Sequence, residues 1–391
     1  MASDIVYIDD EPQHLLASAK AVRAGRRFAD YVPPDLAGAG AEAAAAAANL
    51  WVFDFYNDDE ERQNPSLNGT AQNGLSVFQQ FRLLVGDARP PAVVVSAHLE
   101  AALGADINLE RRHILAEEVG VEWVAPKVLE GGDVMSEILA LADAAGMLRE
   151  ASAQLRAAGP SEYIAELCRL ALKLPQTAEW QRAAVREVAA WRPPIWLDAT
   201  VDHRVQSLRD QLAIDPDMRS VRGVVAWMLR QMLPYPSFLV RDRHVAVRLG
   251  VSLTCLRAAS QDGTALARAL KRVRYKGVLA DFDGPRWWGA GVDAIAWGLP
   301  YQKEARSEAL RLFFAPVPLV ELEFTDPVVV SDADLVETDE ILPAAECVRA
   351  SDEHFPSQAP PAWVRIADAK VDKALARKVR QEDQRELIDQ A

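Results

Sequence analysis

Ile5-Val6-Tyr7-Ile8-Asp9-Asp10 and Leu50-Trp51-Val52-Phe53-Asp54 are two short apolar runs that end in carboxylates. Ala92-Val93-Val94-Val95 ends in the same way at Ser96, and Glu122-Trp123-Val124-Ala125-Pro126 leads into Lys127. Continuous runs of this length, separated by helix-length stretches, are the pattern of parallel strands buried on both faces and joined by crossover helices. The expected fold class of the N-terminal part is therefore α/β, a doubly wound, five-stranded parallel sheet. In such sheets ligands gather beyond the carboxyl ends of the strands, where each of these polar residues sits. One edge is thus expected to collect Asp9, Asp10, Asp54, Ser96 and Lys127.

Carboxylates that crowded do not all stay ionised without a counter-charge. Mg²⁺, a hard ion that takes carboxylate oxygens and keeps several waters, is the expected cofactor, with Asp9, Asp10 and Asp54 as its ligands. With Mg²⁺ and Lys127 neutralising the site, Asp54 is placed to act as a nucleophile on a phosphoryl group. Ser96 would then hydrogen-bond the new phosphoryl oxygens.

Over about the first 145 residues this arrangement resembles the receiver domain of two-component response regulators. The resemblance is borne by Tyr7-Ile8-Asp9-Asp10-Glu11-Pro12, Asp54, Asn73-Gly74-Leu75-Ser76-Val77-Phe78, Ser96-Ala97 and Lys127. It implies that Asp9 and Asp10 position Mg²⁺, that Asp54 is the phosphoacceptor for a sensor histidine kinase, and that Lys127 and Ser96 read the added charge. The chain departs from the family in an acidic insertion, Asp58 to Gly69, in extra length between Ser96 and Lys127, and in Pro126 preceding the lysine instead of following it.

At 391 residues the chain is too long for one ordinary core. The expected division is a receiver-like domain at 1–157, an α-rich output or interaction domain at 158–314, and a β-containing region at 315–391 that ends in a charged helix. Half of the residues are apolar and 26% are charged, a globular composition. The net charge of −14 argues against indiscriminate coating of nucleic acid. Three cysteines, Cys168, Cys255 and Cys347, stand far apart and fit a reducing compartment. With no leader and no apolar stretch of membrane-spanning length, a cytoplasmic protein is expected.

Beyond the receiver, helices are expected at Gly131 to Arg156, Ser161 to Trp191, Asp202 to Leu212 and Met218 to Leu233. Val317 to Phe324 and Val328 to Val330 read as strands, with acidic residues from Asp332 to Glu340 on exposed connections. The tail from Ile366 to Gln390 reads as one charged helix. His244 to Arg257 has the spacing of a helix-turn-helix: a small residue at Ala246, a turn glycine at Gly250, an anchor at Leu256 and a capping Ser252. From Arg241 to Lys276 there are nine Lys or Arg against two Asp or Glu, a local +7. Arg248, Thr254, Arg257, Lys271 and Arg272 are accordingly the expected nucleic-acid contacts, mostly to the backbone. Asp281-Phe282-Asp283-Gly284-Pro285-Arg286-Trp287-Trp288 reads as a tight turn before buried tryptophans, with a metal or stacking role as the lesser reading.

The expected function is a response-regulator-like signalling protein whose phosphoacceptor Asp54 controls an atypical output region. It would dock on DNA through about 241–276 or on a protein partner through 160–391. No enzymatic activity is expected beyond the receiver's own phosphorylation and dephosphorylation, and no membrane partner is expected. A homodimer is left open. The alternative is a non-enzymatic pseudo-receiver serving as a scaffold subunit of a multiprotein complex.

Overall fold

The computed structural model describes residues 4–8, 28–31 (backbone only), 48–54, 78, 79, 82, 89–96, 111–126, 134–197, 217–261 and 263–388. Contacts divide the chain into two compact units. The first comprises Met1–Lys173, Pro193–Gln231 and Gly277–Asp283, and the second Leu174–Arg192, Met232–Lys276 and Gly284–Ala391. Residue 158 thus lies inside the first unit and residue 314 inside the second.

The first unit is built on β1 (Ile5–Ile8), β2 (Phe28–Tyr31), β3 (Leu50–Asp54), β4 (Ala92–Ser96) and β5 (Trp123–Pro126), in the order β2-β1-β3-β4-β5. All four pairings are parallel. Every residue of β1, β3, β4 and β5 is buried, so their apolar character runs unbroken instead of alternating. Helix α1 (Arg112–Val119) ends at Gly120, whose φ of 79° is the left-handed conformation that glycine adopts without penalty. Its N–H bonds the carbonyl of Glu117, and the chain then turns into β5. Helix α2 (Val134–Ala157) buries Val134, Ile138, Leu141, Ala142 and Ala145, the face that its 3.6-residue spacing predicts.

The helix expected from Ser161 to Trp191 is instead two helices. Helix α3 (Tyr163–Leu170) belongs to the first unit, and Gln181–Ala190 belongs to the second. Between them Lys173 takes a φ of 52° and Pro175 lacks a donor N–H, so the ladder cannot continue. Helix α4 (Met218–Trp227) packs on α2. Gly277 lies against the Leu172 backbone, where an added Cβ would come within 2.6 Å. The expected helix at 202–212 falls outside the described residues.

In the second unit, α5 (Asp242–Leu249) and α6 (Leu253–Ala259) are joined at Gly250, whose φ is 74°. The Ser252 side chain accepts the N–H of Cys255 and caps α6. Ala246 and Leu256 are buried where the pair meets. Helices α7 (Ala265–Val273), α8 (Gly289–Trp297) and α9 (Lys303–Phe314) share a core with this pair through Leu266, Leu270, Val292, Leu310 and Phe314. A two-stranded ribbon pairs β6 (Leu239–Val240) with β7 (Trp287–Trp288).

A four-stranded sheet contains β8 (Pro327–Ser331), β9 (Glu337–Pro343), β10 (Cys347–Ala350) and β11 (Ala362–Arg365), ordered β10-β11-β8-β9. β8 with β9 and β10 with β11 are antiparallel, whereas β11 and β8 run parallel. Three sequence expectations are corrected in this unit. Val317 to Phe324 forms no strand: Glu321 makes an isolated bridge to Val251, and the neighbouring backbone bonds the α5–α6 turn, a partner too short for a ladder. The acidic residues Glu337, Asp339 and Glu340 lie in β9 and not on a connection. The tail is three short helices, Ile366–Val371, Lys373–Lys378 and Gln384–Ile388. Asp372 breaks it by accepting the N–H groups of Ala374 and Leu375, and Val379 bridges to Ala350.

Candidate functional site at the carboxyl edge of the parallel sheet

Asp54 is the last residue of β3 and pairs in register with Val95. Ser96, the last residue of β4, pairs with Pro126 at the end of β5. Both side chains are almost fully buried, Asp54 at 2% and Ser96 at 1% exposure. On the other side of β3, Phe53 pairs with Ile8, the last residue of β1. Four adjacent strands therefore end at matching levels on one edge. Asp9 and Asp10 follow Ile8 in sequence and Lys127 follows Pro126; all three lie outside the described residues, as do Asn73, Gly74 and the acidic insertion. Burying a carboxylate requires hydrogen bonds, an opposite charge or a bound cation. An all-oxygen donor set of Asp54 with Asp9 and Asp10 suits a hard divalent ion. Among the described residues there is no group of three or more His, Cys, Asp or Glu placed to hold a metal.

The strand that leads to Lys127 is held from outside the sheet. Glu137, in the first turn of α2, accepts both arms of Arg112 at 3.0 and 2.9 Å and the indole N–H of Trp123 at 2.8 Å. The Arg112 guanidinium lies 4.6 Å from the Trp123 ring centre. Glu137 thus ties α1, α2 and β5 together and fixes the direction in which β5 delivers the chain.

At the opposite end of the sheet is a polar device that sequence reasoning missed. Arg89, fully buried, donates to both carboxylate oxygens of Glu122 at 2.7 and 3.1 Å, to the carbonyl of Pro90 and to that of Gly120. Glu122 also accepts the N–H of Ala92 at 2.7 Å. The pair clamps the entries of β4 and β5 and is satisfied on several sides, the condition under which an ion pair survives burial. Its two members are 33 residues apart, a separation that matches no local period; the signal in the sequence was a charged residue ahead of each apolar run, Glu122 directly before Trp123 and Arg89 two prolines before Ala92.

In the second unit the expected nucleic-acid residues part company. Arg248 turns inward, donating to the Gly289 carbonyl at 2.8 Å and lying 3.3 Å from Asp293. It also opposes Glu187, whose carboxyl is pushed above its ordinary value by burial and by Asp293. Arg257 is half exposed, yet it is held by Asp242 at 2.7 Å and by both oxygens of Asp339 at 2.6 and 2.9 Å. Arg243 adds contacts to the carbonyls of Glu337 and Thr338, and His244 meets Glu337 at 2.5 Å. The basic side of the α5–α6 pair is therefore already occupied by β9. Thr254, Lys271 and Arg272 are exposed. Asp281 and Asp283 are exposed at a turn where Asp283 and Gly284 have positive φ, while Trp287 and Trp288 are buried.

All three cysteines are free and buried. Burial pushes the Cys168 thiol up to about 12, and burial with nearby Glu346 and Glu340 pushes Cys347 up to about 11, far from thiolate chemistry. Among the described residues no helix is long and apolar enough to cross a membrane. No family model matches the chain, and no curated protein matches it.

Proposed function

We propose that the first unit is a receiver-like phosphoacceptor and that the chain is a response-regulator-like signalling protein. One observation supports the reading above the others. In a parallel sheet ordered β2-β1-β3-β4-β5, adjacent strands end in a buried carboxylate and a buried hydroxyl, Asp54 and Ser96, and the flanking strands end at Ile8 and Pro126, one residue before Asp9 and Lys127. That edge is where open α/β sheets take their ligands.

In this reading a carboxylate oxygen of Asp54 attacks the phosphorus of a phosphohistidine on a sensor kinase. The P–N bond breaks and the imidazole leaves with the electron pair. Lys127 pairs with the phosphoryl oxygens, and the Ser96 hydroxyl donates to one of them. About two added negative charges then bias the edge between two arrangements and alter how the rest of the chain docks on its partner. Mg²⁺ held by Asp9, Asp10 and Asp54 would supply neutralisation of the phosphoryl oxygens.

The test is intact-mass measurement after incubation with acetyl phosphate and Mg²⁺. The wild-type chain gains one phosphoryl group, while Asp54→Ala and wild type without a divalent ion do not. No gain from acetyl phosphate or phosphoramidate overturns the reading and leaves the non-enzymatic scaffold.

A further inference from the structure

Within the second unit a cleft of about 350 Å³ lies among residues from several elements. That is the size of a small-molecule site. Helix α8 packs against both α5 and the helix Gln181–Ala190, and the cleft takes Glu187 and Trp191 from the end of the latter and His244 and Arg248 from one face of α5. Phe238 and Gln358 line it as well. Phe238 is stacked on Trp288 with ring centres 5.7 Å apart, so this part of the wall is fixed.

The basic groups of the cleft are already engaged. Arg248 is held by the Gly289 carbonyl and Asp293, and the Nε2 of His244 by Glu337. Residue 289 must be small for this, since an added Cβ would stand 3.1 Å from the Arg248 Nη1. Glu187 is not closed in the same way: its Oε2 is shut off from water and has no hydrogen-bond partner among the described residues. Burial and Asp293 push this carboxyl above its ordinary value, although Arg248 and the N–H of Ala290 pull the other way. Two carboxylates, Glu187 and Asp293, thus share one guanidinium. What the cleft lacks is a positive charge that carries N–H donors. The terminal torsion of a glutamate is soft, so either oxygen of Glu187 turns to a donor in the cleft at little cost.

We propose that this cleft binds a small organic amine, with its ammonium on the Glu187 carboxylate and its apolar body against Trp191 and Phe238. Such an ammonium satisfies the orphan oxygen and offsets the surplus carboxylate, the two conditions for burying that charge. An anion of the same size would meet two carboxylates instead. The cleft shares no residue with the edge at Asp54, so its failure leaves the phosphoacceptor reading standing.

The experiment is isothermal titration calorimetry of the full-length chain with phenethylamine, the neutral isostere 2-phenylethanol and the anion phenylacetate. Phenethylamine saturates one site in the millimolar range expected of so small a ligand, binds about tenfold tighter than the alcohol because its hydrogen bond is charge-assisted, and phenylacetate does not bind. Glu187→Gln keeps the side-chain shape, leaves alcohol binding unchanged and removes the preference for the amine. Gln358→Trp fills the cleft and abolishes binding of both, and circular dichroism verifies the fold of each variant. A short lysine-containing peptide, which carries the same ammonium on a bulkier body, binds more weakly than phenethylamine. Absence of saturable amine binding, a preference that survives in Glu187→Gln, or binding that survives in Gln358→Trp overturns the proposal. Tighter binding of the peptide overturns the small-molecule assignment.

Discussion

In the first unit the Arg89–Glu122 pair is sealed from water and buttressed by three backbone groups. In the second, Arg243, His244 and Arg257 meet Asp242, Glu337 and Asp339 along a partly wet seam between the α5–α6 pair and β9. The same residue chemistry therefore has different consequences in the two places. A sealed pair contributes little net stability but is costly to break, because the survivor is left charged in an apolar interior. A wet pair is screened and contributes a fraction as much, so its value lies in selecting which surface β9 covers.

The largest expected effect follows from that contrast. Glu122→Ala leaves Arg89 uncompensated and lowers the stability of the first unit by about 3–5 kcal/mol, measured by chemical denaturation with hydrogen exchange reading the amides of β4 and β5. A loss as small as that of a surface substitution would break the comparison. Next is Glu337. Burial by itself raises its carboxyl, but contact with His244, together with Arg243 and Arg241, outweighs burial and holds it below its usual value. A carboxyl depressed in the folded state stabilises above its unfolded pKa, near 4.3 for Glu, and that stability is lost as pH falls through the folded value. The second unit is therefore expected to weaken on acidification below about pH 4. Glu337→Gln costs about 1.5–3 kcal/mol at neutral pH and flattens that acid limb, both read from denaturation midpoints against pH.

Ser252→Ala removes the cap of α6 and costs about 1 kcal/mol. The smallest effect is expected at Arg257→Ala, about 0.2–1 kcal/mol and shrinking with added salt, because the side chain is half exposed. A larger loss that is insensitive to salt would mean that the seam behaves as an interior, and would merge the two cases.

Local chemistry made much of this legible. Unbroken apolar runs announced strands buried on both faces. Gly250, Ser252, Ala246 and Leu256 announced the turn, the cap and the contact of α5 with α6, because each acts within one or two helical turns. The tail misled for the same kind of reason. Its narrow apolar stripe fitted one helix, but Asp372 competes for backbone N–H groups and Val379 has a strand partner, Ala350, 29 residues earlier in the chain. Asp332 and Asp334 lie on an exposed connection as expected, but Glu337, Asp339 and Glu340 carry the acidic run into β9, where Asp339 and Glu340 pair with Arg257 and Arg365, partners that sequence cannot place.

By itself the sequence determined which segments form β1, β3, β4 and β5, that each of these strands ends beside a polar residue, and where α5 turns into α6, since these depend on periodicity, caps and backbone freedom over a few residues. Only the tertiary structure decided that Asp54 and Ser96 end neighbouring strands, that Arg89 finds Glu122, and that β9 takes up Arg243 and Arg257. Those outcomes depend on strand order, register and long-range charge pairing, which bring together residues tens of positions apart and leave no period in the sequence.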